Sequence, residues 1–255
     1  MGRPMVDRLA AAGCAPMVYA RRAEVVADLR AAGIDAVESP TALAATVDVL
    51  VMCLFSDAQL RELLFDDGVL AAMRPGAVLV SHTTGSPELL VELATSAPEG
   101  VDVVDMPVSG GAAEIAEGRL TVLAGGAPAA VARAREVVAA YGDPIIDVGG
   151  IGDAMRVKLV NNLLFTVNMW VTVEGARIAQ SLGISSGDLA RVLERCSADT
   201  YAMRRLIGGV DPQLLVTASR PFLAKDVAVV RTVADSIGLD LGMLGDLARW
   251  VEDPA

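Results

Sequence analysis

Over the first half of the chain, short runs of β-branched and apolar residues alternate with helical patterns, and after Gly152 the alternation stops. Met17–Tyr19, Val47–Leu54, Ala77–Ser81, Val101–Asp105, Leu120–Ala124 and Ile145–Val148 read as strands. Between them Ala23–Ala32, Gln59–Leu64, Pro87–Ala94 and Ala127–Ala140 read as helices, the first closed by Gly33. Val47–Leu54 (VDVLVMCL) is mostly a continuous apolar run, as suits a strand buried on both faces. This rhythm predicts an α/β domain with a doubly wound, mainly parallel sheet.

Beyond Gly152 the pattern predicts helices alone. Ala154–Leu182 has neither strand signal nor proline, a helix long enough to join two domains. Ser186–Cys196, Thr200–Ile207 and Lys225–Ile237 continue as helices. The expected organisation is an α/β domain over 1–150 and an all-α domain over 151–255, divided near Gly149–Gly152.

Composition narrows the function classes. Hydrophobic residues make up 53% and charged residues 21% of 255 residues, which suits a folded chain with a sizeable core. The net charge of −11 disfavours nucleic acid and anionic lipid as partners. The longest apolar run, the 15 residues between Lys158 and Glu174, contains Asn161, Asn162 and Asn168. It falls short of the roughly 20 residues of a membrane span, so no membrane partner is expected. Cys14, Cys53 and Cys196 are widely spaced and suggest neither a disulfide frame nor a metal site; a reducing cytoplasm is the expected location.

Several segments carry candidate chemistry. Met1-Gly2-Arg3-Pro4-Met5 opens a helical pattern that ends at Gly13. Arg21 and Arg22 follow the Met17–Tyr19 strand. Ser81-His82-Thr83-Thr84-Gly85-Ser86-Pro87 follows another strand. Asp105-Met106-Pro107-Val108-Ser109-Gly110-Gly111 holds two consecutive glycines whose N–H groups can converge on an anion, beside the Ser109 hydroxyl. In Gly149–Asn162, Lys158 and Asn162 are four apart and share a helix face. Asn161 points elsewhere and is assigned to packing. Phe222-Leu223-Ala224-Lys225-Asp226 lies in the helical part.

Taken in order, these segments resemble the β-hydroxyacid dehydrogenase family, typified by 3-hydroxyisobutyrate dehydrogenase, over nearly the whole chain. The resemblance implies a Rossmann-type domain followed by an all-helical substrate and dimerisation domain. It implies an oxidoreductase that moves a hydride between a nicotinamide cofactor and a small β-hydroxy acid or its semialdehyde. It assigns Lys158 as general acid/base, supported by Asn162. Ser109, Gly110, Gly111 and Thr84 would bind substrate. Gly2, Arg21, Arg22, Leu54, Thr84 and Lys225 would bind the cofactor. Paired arginines at the strand end favour NADP, with NAD possible, because a guanidinium pairs with the 2′-phosphate. The family pattern there is Asn-Arg-Ser/Thr, from which Ala20-Arg21-Arg22 departs at two positions. Ser81 stands where the family usually has aspartate. His82, the single histidine, is set aside as a base, since its family position is normally apolar and Lys158 fits the role.

Gly2 matches the end of the family's glycine fingerprint. A sheet built from this sequence is expected to lack the family's first strand, and cofactor affinity is expected to be weak or absent. The family also implies a homodimer or homotetramer, with which Trp170 and Trp250 are compatible. Other readings are an imine reductase, whose members generally lack a lysine at the Lys158 position, and a non-catalytic dimerising relative. A 6-phosphogluconate dehydrogenase would need a much longer helical domain.

Overall fold

The computed structural model describes residues 1–207 and 209–252. The chain divides into two compact units, Met1–Lys158 and Leu159–Ala255. In the first unit the elements run α1 (Gly2–Ala11), β1 (Met17–Tyr19), α2 (Ala23–Ala31), β2 (Asp35–Val37), α3 (Pro40–Ala44), β3 (Val49–Met52) and α4 (Asp57–Arg61). A π-helical turn at Glu62–Asp66 extends α4. There follow β4 (Val78–Ser81), α5 (Pro87–Ser96), β5 (Asp102–Asp105), β6 (Val108–Ser109), α6 (Ala112–Ala116), β7 (Leu120–Gly125), α7 (Pro128–Val138) and β8 (Gly142–Gly149). Helix α8 (Asp153–Ser181) begins in this unit and continues into the second.

The strands form two sheets. β1 and β2 pair in parallel as a two-stranded sheet, and the other six strands run β3-β4-β5-β7-β6 with β8 also on β7. β3, β4 and β5 are parallel, whereas β7 is antiparallel to β5 and β6 and parallel to β8. The expected parallel sheet is therefore mixed beyond β5. The cause is the short β6–α6 excursion, which returns the chain to the sheet edge without a full crossover helix.

The sheet's residues show why these runs are strands. Leu79 faces one apolar core and its neighbours Val78 and Val80 face another. Val103 and Val104 divide in the same way on β5. Each strand thus buries both faces, and alternation of apolar with polar residues is lost. Helix starts are set by side-chain caps: Ser39, Ser56 and Ser86 accept from Ala42, Gln59 and Glu88 N–H.

The second unit holds the rest of α8, α9 (Ser186–Leu193), α10 (Tyr201–Arg204), α11 (Pro212–Ser236), α12 (Gly242–Leu247) and a 3₁₀ turn at Ala248–Val251. Its core joins Leu163, Met169, Met203, Leu223 and Val227. Trp170 stacks on Trp250 with ring centroids 5.9 Å apart. Helix α11 starts well before the expected Lys225 and runs through Pro221. Leu215 and Leu223, on either side of that proline, enter the same core, which holds the helix together where local propensity would end it. Among the described residues no helix is long and apolar enough to cross a membrane.

His82 lies fully inside the first unit. Its Nδ1 donates to the Met106 carbonyl at 2.5 Å, so Nε2 accepts from the Tyr141 hydroxyl at 2.8 Å. Burial pushes its pKa down from 6.5 to about 4, against the Met106 bond, which favours the charged form. The unfolded chain takes up this proton near pH 6.5 and the folded chain only near 4, so stability falls as pH drops between them. Urea unfolding at pH 7 and 4.5 should show the unmodified chain losing about 2.5 kcal/mol more than His82→Gln. Equal losses would mean that His82 is not held neutral.

Candidate active site

Asp105 anchors the start of the helix that carries Lys158. It ends β5 fully buried, and its Oδ1 and Oδ2 accept the N–H groups of Gly152 and Met155 at 2.9 and 2.8 Å. These are N–H groups that a helix cannot satisfy within its own first turn. Burial pushes the Asp105 carboxyl up, while these backbone donors favour its charged form. Space for the carboxylate comes from Gly125, where a Cβ would lie 2.4 Å from Asp105 Oδ1. Lys158, buried within α8, closes this unit.

The glycine pair after β6 divides into two roles. Ser109 is half-buried, opposite Thr121 of β7. Gly110 has φ +131°, a conformation that other residues avoid, and a Cβ there would lie 3.0 Å from Leu120 Cδ1. Gly111 has no such backbone demand, and its N–H donates to Glu114 Oε2 at 2.8 Å. The expected convergence of glycine N–H groups is thus partly taken up by Glu114, leaving Ser109 and Gly110 as the donors not committed to it.

Gly2, Arg21 and Leu54 come together around one cavity of about 610 Å³ in the first unit. Arg21 and Leu54 follow the carboxyl ends of β1 and β3, where open α/β sheets bind ligands. Gly2 is bare: a Cβ there would meet nothing within 4 Å. Leu54 N–H donates to Thr83 Oγ1 at 3.0 Å, which ties the end of β3 to the loop after β4. Arg22 and Thr84 do not line this cavity. Arg22 is exposed and pairs with Glu24 at 3.5 Å, and Thr84 is half-buried in the loop before α5. A glycine at a helix start, an arginine at a strand end and a ligand-sized cavity fit the phosphates and ribose of a dinucleotide.

In the second unit Asn162 Nδ2 donates to Asp226 Oδ2 at 2.5 Å, and Lys225 Nζ pairs with Asp226 Oδ1 at 2.6 Å. Asn162 and Asp226 are both buried. Asn161 is exposed and donates to Asn162 Oδ1 at 3.0 Å, so its assignment to packing is corrected. Its amide finds a polar neighbour more readily than an apolar core. Sequence reasoning gave no role to Asp105, Glu114 or Asp226. The available signal was an acidic residue beside apolar ones, since a buried carboxylate needs donors.

Comparison with known proteins defines the class. Residues 1–150 match the family model of the NAD binding domain of 6-phosphogluconate dehydrogenase. Residues 152–252 match that of the NAD-binding domain of NADP-dependent 3-hydroxyisobutyrate dehydrogenase. The chain belongs to the β-hydroxyacid dehydrogenase family and is an NAD(P)-binding oxidoreductase. It is 32% identical over 206 residues to 2-(hydroxymethyl)glutarate dehydrogenase of Eubacterium barkeri, covering 80% of this chain and 68% of the relative. It is 33% identical over 205 residues to the NAD-dependent L-serine dehydrogenase of Pseudomonas aeruginosa, covering 80% and 69%. In fold it is similar to the 3-hydroxyisobutyrate dehydrogenase of Mycobacterium tuberculosis solved with L-serine. That likeness has a TM-score of 0.85 and 24% identity, covering 99% of this chain and 89% of the other.

Asp105→Ala should cost roughly 3 kcal/mol in urea unfolding, since it leaves the Gly152 and Met155 N–H groups without an acceptor. A loss under about 1 kcal/mol would show that the helix start needs no such anchor.

Proposed function

We propose that this chain interconverts a small β-hydroxy acid and its semialdehyde, with NADP favoured over NAD and Lys158 as general acid/base. The observation that carries this reading is Lys158 itself, a lysine only 8% exposed on a largely apolar helix. Burial favours the neutral form of an amine, and a neutral amine suits proton exchange with an alcohol oxygen. The relatives support the substrate class. 2-(Hydroxymethyl)glutarate, L-serine and 3-hydroxyisobutyrate are all HOCH₂–CH(R)–COO⁻ and differ only at R.

A bound nicotinamide supplies the hydride acceptor or donor. Lys158 Nζ would take the hydroxyl proton in oxidation as the neutral amine and return it in reduction from the ammonium. Asn162, fixed by Asp226, supports the lysine from one turn further along the helix. Ser109 and Gly110 hold the carboxylate, joined by Gly111 once Glu114 releases its N–H, and Thr84 orients substrate and ribose. Gly2, Arg21, Arg22, Leu54 and Lys225 hold the cofactor. Residues 1–150 are assigned to cofactor binding and 151–255 to substrate binding and dimerisation; 253–255 lie outside the described residues. A cytoplasmic homodimer or homotetramer is the proposed assembly, supported by the exposed Val160, Leu164, Val171 and Ile178 along α8.

Turnover should be sought with 3-hydroxyisobutyrate, L-serine, 2-(hydroxymethyl)glutarate and a cyclic imine, each with both nicotinamides. The hydroxy acids should react and the imine should not. Lys158→Ala should lower kcat by about 10²-fold or more, and a fall of less than tenfold would remove the acid/base assignment. Replacing Arg21 and Arg22 together by alanine should weaken NADPH binding about 10- to 100-fold and leave NADH within about threefold. Equal losses would remove the arginines' role in choosing NADP.

A further inference from the structure

Thr84 sits in the loop that joins β4 to α5, and two bonds of opposite sense hold that loop against the segment after β3. Leu54 N–H donates to Thr83 Oγ1 at 3.0 Å, and Ser86 N–H donates to Asp57 Oδ2 at 2.7 Å. Thr84 and Gly85 are the two residues between these ties. Gly85 is buried, and its N–H donates to Met155 Sδ at 3.5 Å. Met155 is itself fixed by the bond from its N–H to Asp105, and it precedes Lys158 by one turn of α8. The Thr84 loop is therefore tied to the first turn of the lysine helix on one side and to Asp57 on the other.

We propose that Asp57 is a positioning residue that fixes the Thr84 loop, and through Thr84 sets the alignment of the hydroxy acid against the nicotinamide. This rests on the assignment of Thr84 to substrate and ribose made above. Gly85 carries the argument. Its φ lies outside the left-handed region, so its backbone would accept a side chain. A Cβ there would overlap Asp57 Oδ1, and each of the three nearest atoms belongs to the Asp57 carboxylate. The glycine is required by the close approach of that carboxylate and by nothing in its own conformation. Glycine loses more conformational freedom on ordering than any other residue, so a loop with glycine beside Thr84 stays in place only if it is held from outside. Asp57, half-buried at the start of α4, supplies the hold. It accepts the N–H of Ser86, the cap of α5, whose own N–H has no acceptor within that helix. A bond from a backbone N–H to a carboxylate is charge-assisted, and so among the stronger ones available to a loop.

The test uses the full chain. Asp57→Ala removes the acceptor, and Gly85→Ala leaves Asp57 in place but denies its carboxylate the space. Each should lower kcat with the best hydroxy acid about tenfold or more, the scale of a misplaced reacting group, and leave the NADPH dissociation constant within about threefold. The double variant should be no worse than either single one, since both break one contact. Asp57→Asn, whose amide oxygen can still accept Ser86 N–H, should keep most of the activity. In a Thr84→Val background, Asp57→Ala should lower kcat less than about threefold further. Amide hydrogen exchange of the free protein should be about tenfold faster at Gly85 and Ser86 in Asp57→Ala and little changed in Asp57→Asn. Losses that multiply in the double variant, an asparagine variant as impaired as the alanine one, or unchanged exchange at Gly85 and Ser86 would each overturn the proposal. If Asp57→Ala does not fold, Gly85→Ala and Asp57→Asn carry the same comparison. Exchange is read without cofactor or substrate. If no hydroxy acid is turned over, the functional reading fails and the link to Thr84 fails with it, whereas unchanged exchange fails this proposal alone.

Discussion

The buried carboxylate of Asp105 is the contact on which the proposed active site depends. It joins the last residue of a central strand to the first turn of the helix that bears Lys158. A helix end buried without acceptors would be costly, and a carboxylate buried without donors more so. Each group solves the other's problem. Gly125 leaves room for the pair, and the apolar residues preceding Asp105 fix how deep it sits. Lys158, the candidate proton carrier, is thereby placed by backbone geometry rather than by a flexible loop.

The same economy of donors governs the rest of the site. Glu114 engages Gly111, and Asp226 engages both Asn162 and Lys225. In each case a carboxylate holds a group that the proposed reaction needs. Charge-assisted bonds of this kind orient a side chain and also withhold it from other partners.

The sheet shows how one feature serves two demands. β4 and β5 bury both faces, which leaves no room on them for alternating polar residues. Residues of β1 and β3 line one largely apolar cavity. At the carboxyl ends of the same strands lie the residues suited to a dinucleotide.

Much of this was legible in the sequence. Val47–Leu54 and Ala77–Ser81 announced buried strands, because a strand covered on both sides carries a continuous apolar run. The motif around Ser109–Gly111 and the lysine at 158 carried the resemblance to the family. The sequence also determined the long helix from Asp153, which no proline or glycine interrupts until Gly175. It did not reveal the antiparallel turn of β7, since strand direction depends on how the short β6–α6 segment returns. It placed the start of α11 too late, because Pro221 looks like a breaker until the core on both sides of it is assembled. Nor could it say that Asp105 meets Gly152, that Glu114 occupies Gly111, or that Asn161 stays exposed. Local pattern decides which segments become helices and strands, through side-chain periodicity and burial. Which buried carboxylate finds which donor is decided only when distant segments pack, since the cost of an unpaired charge falls due after water has been excluded.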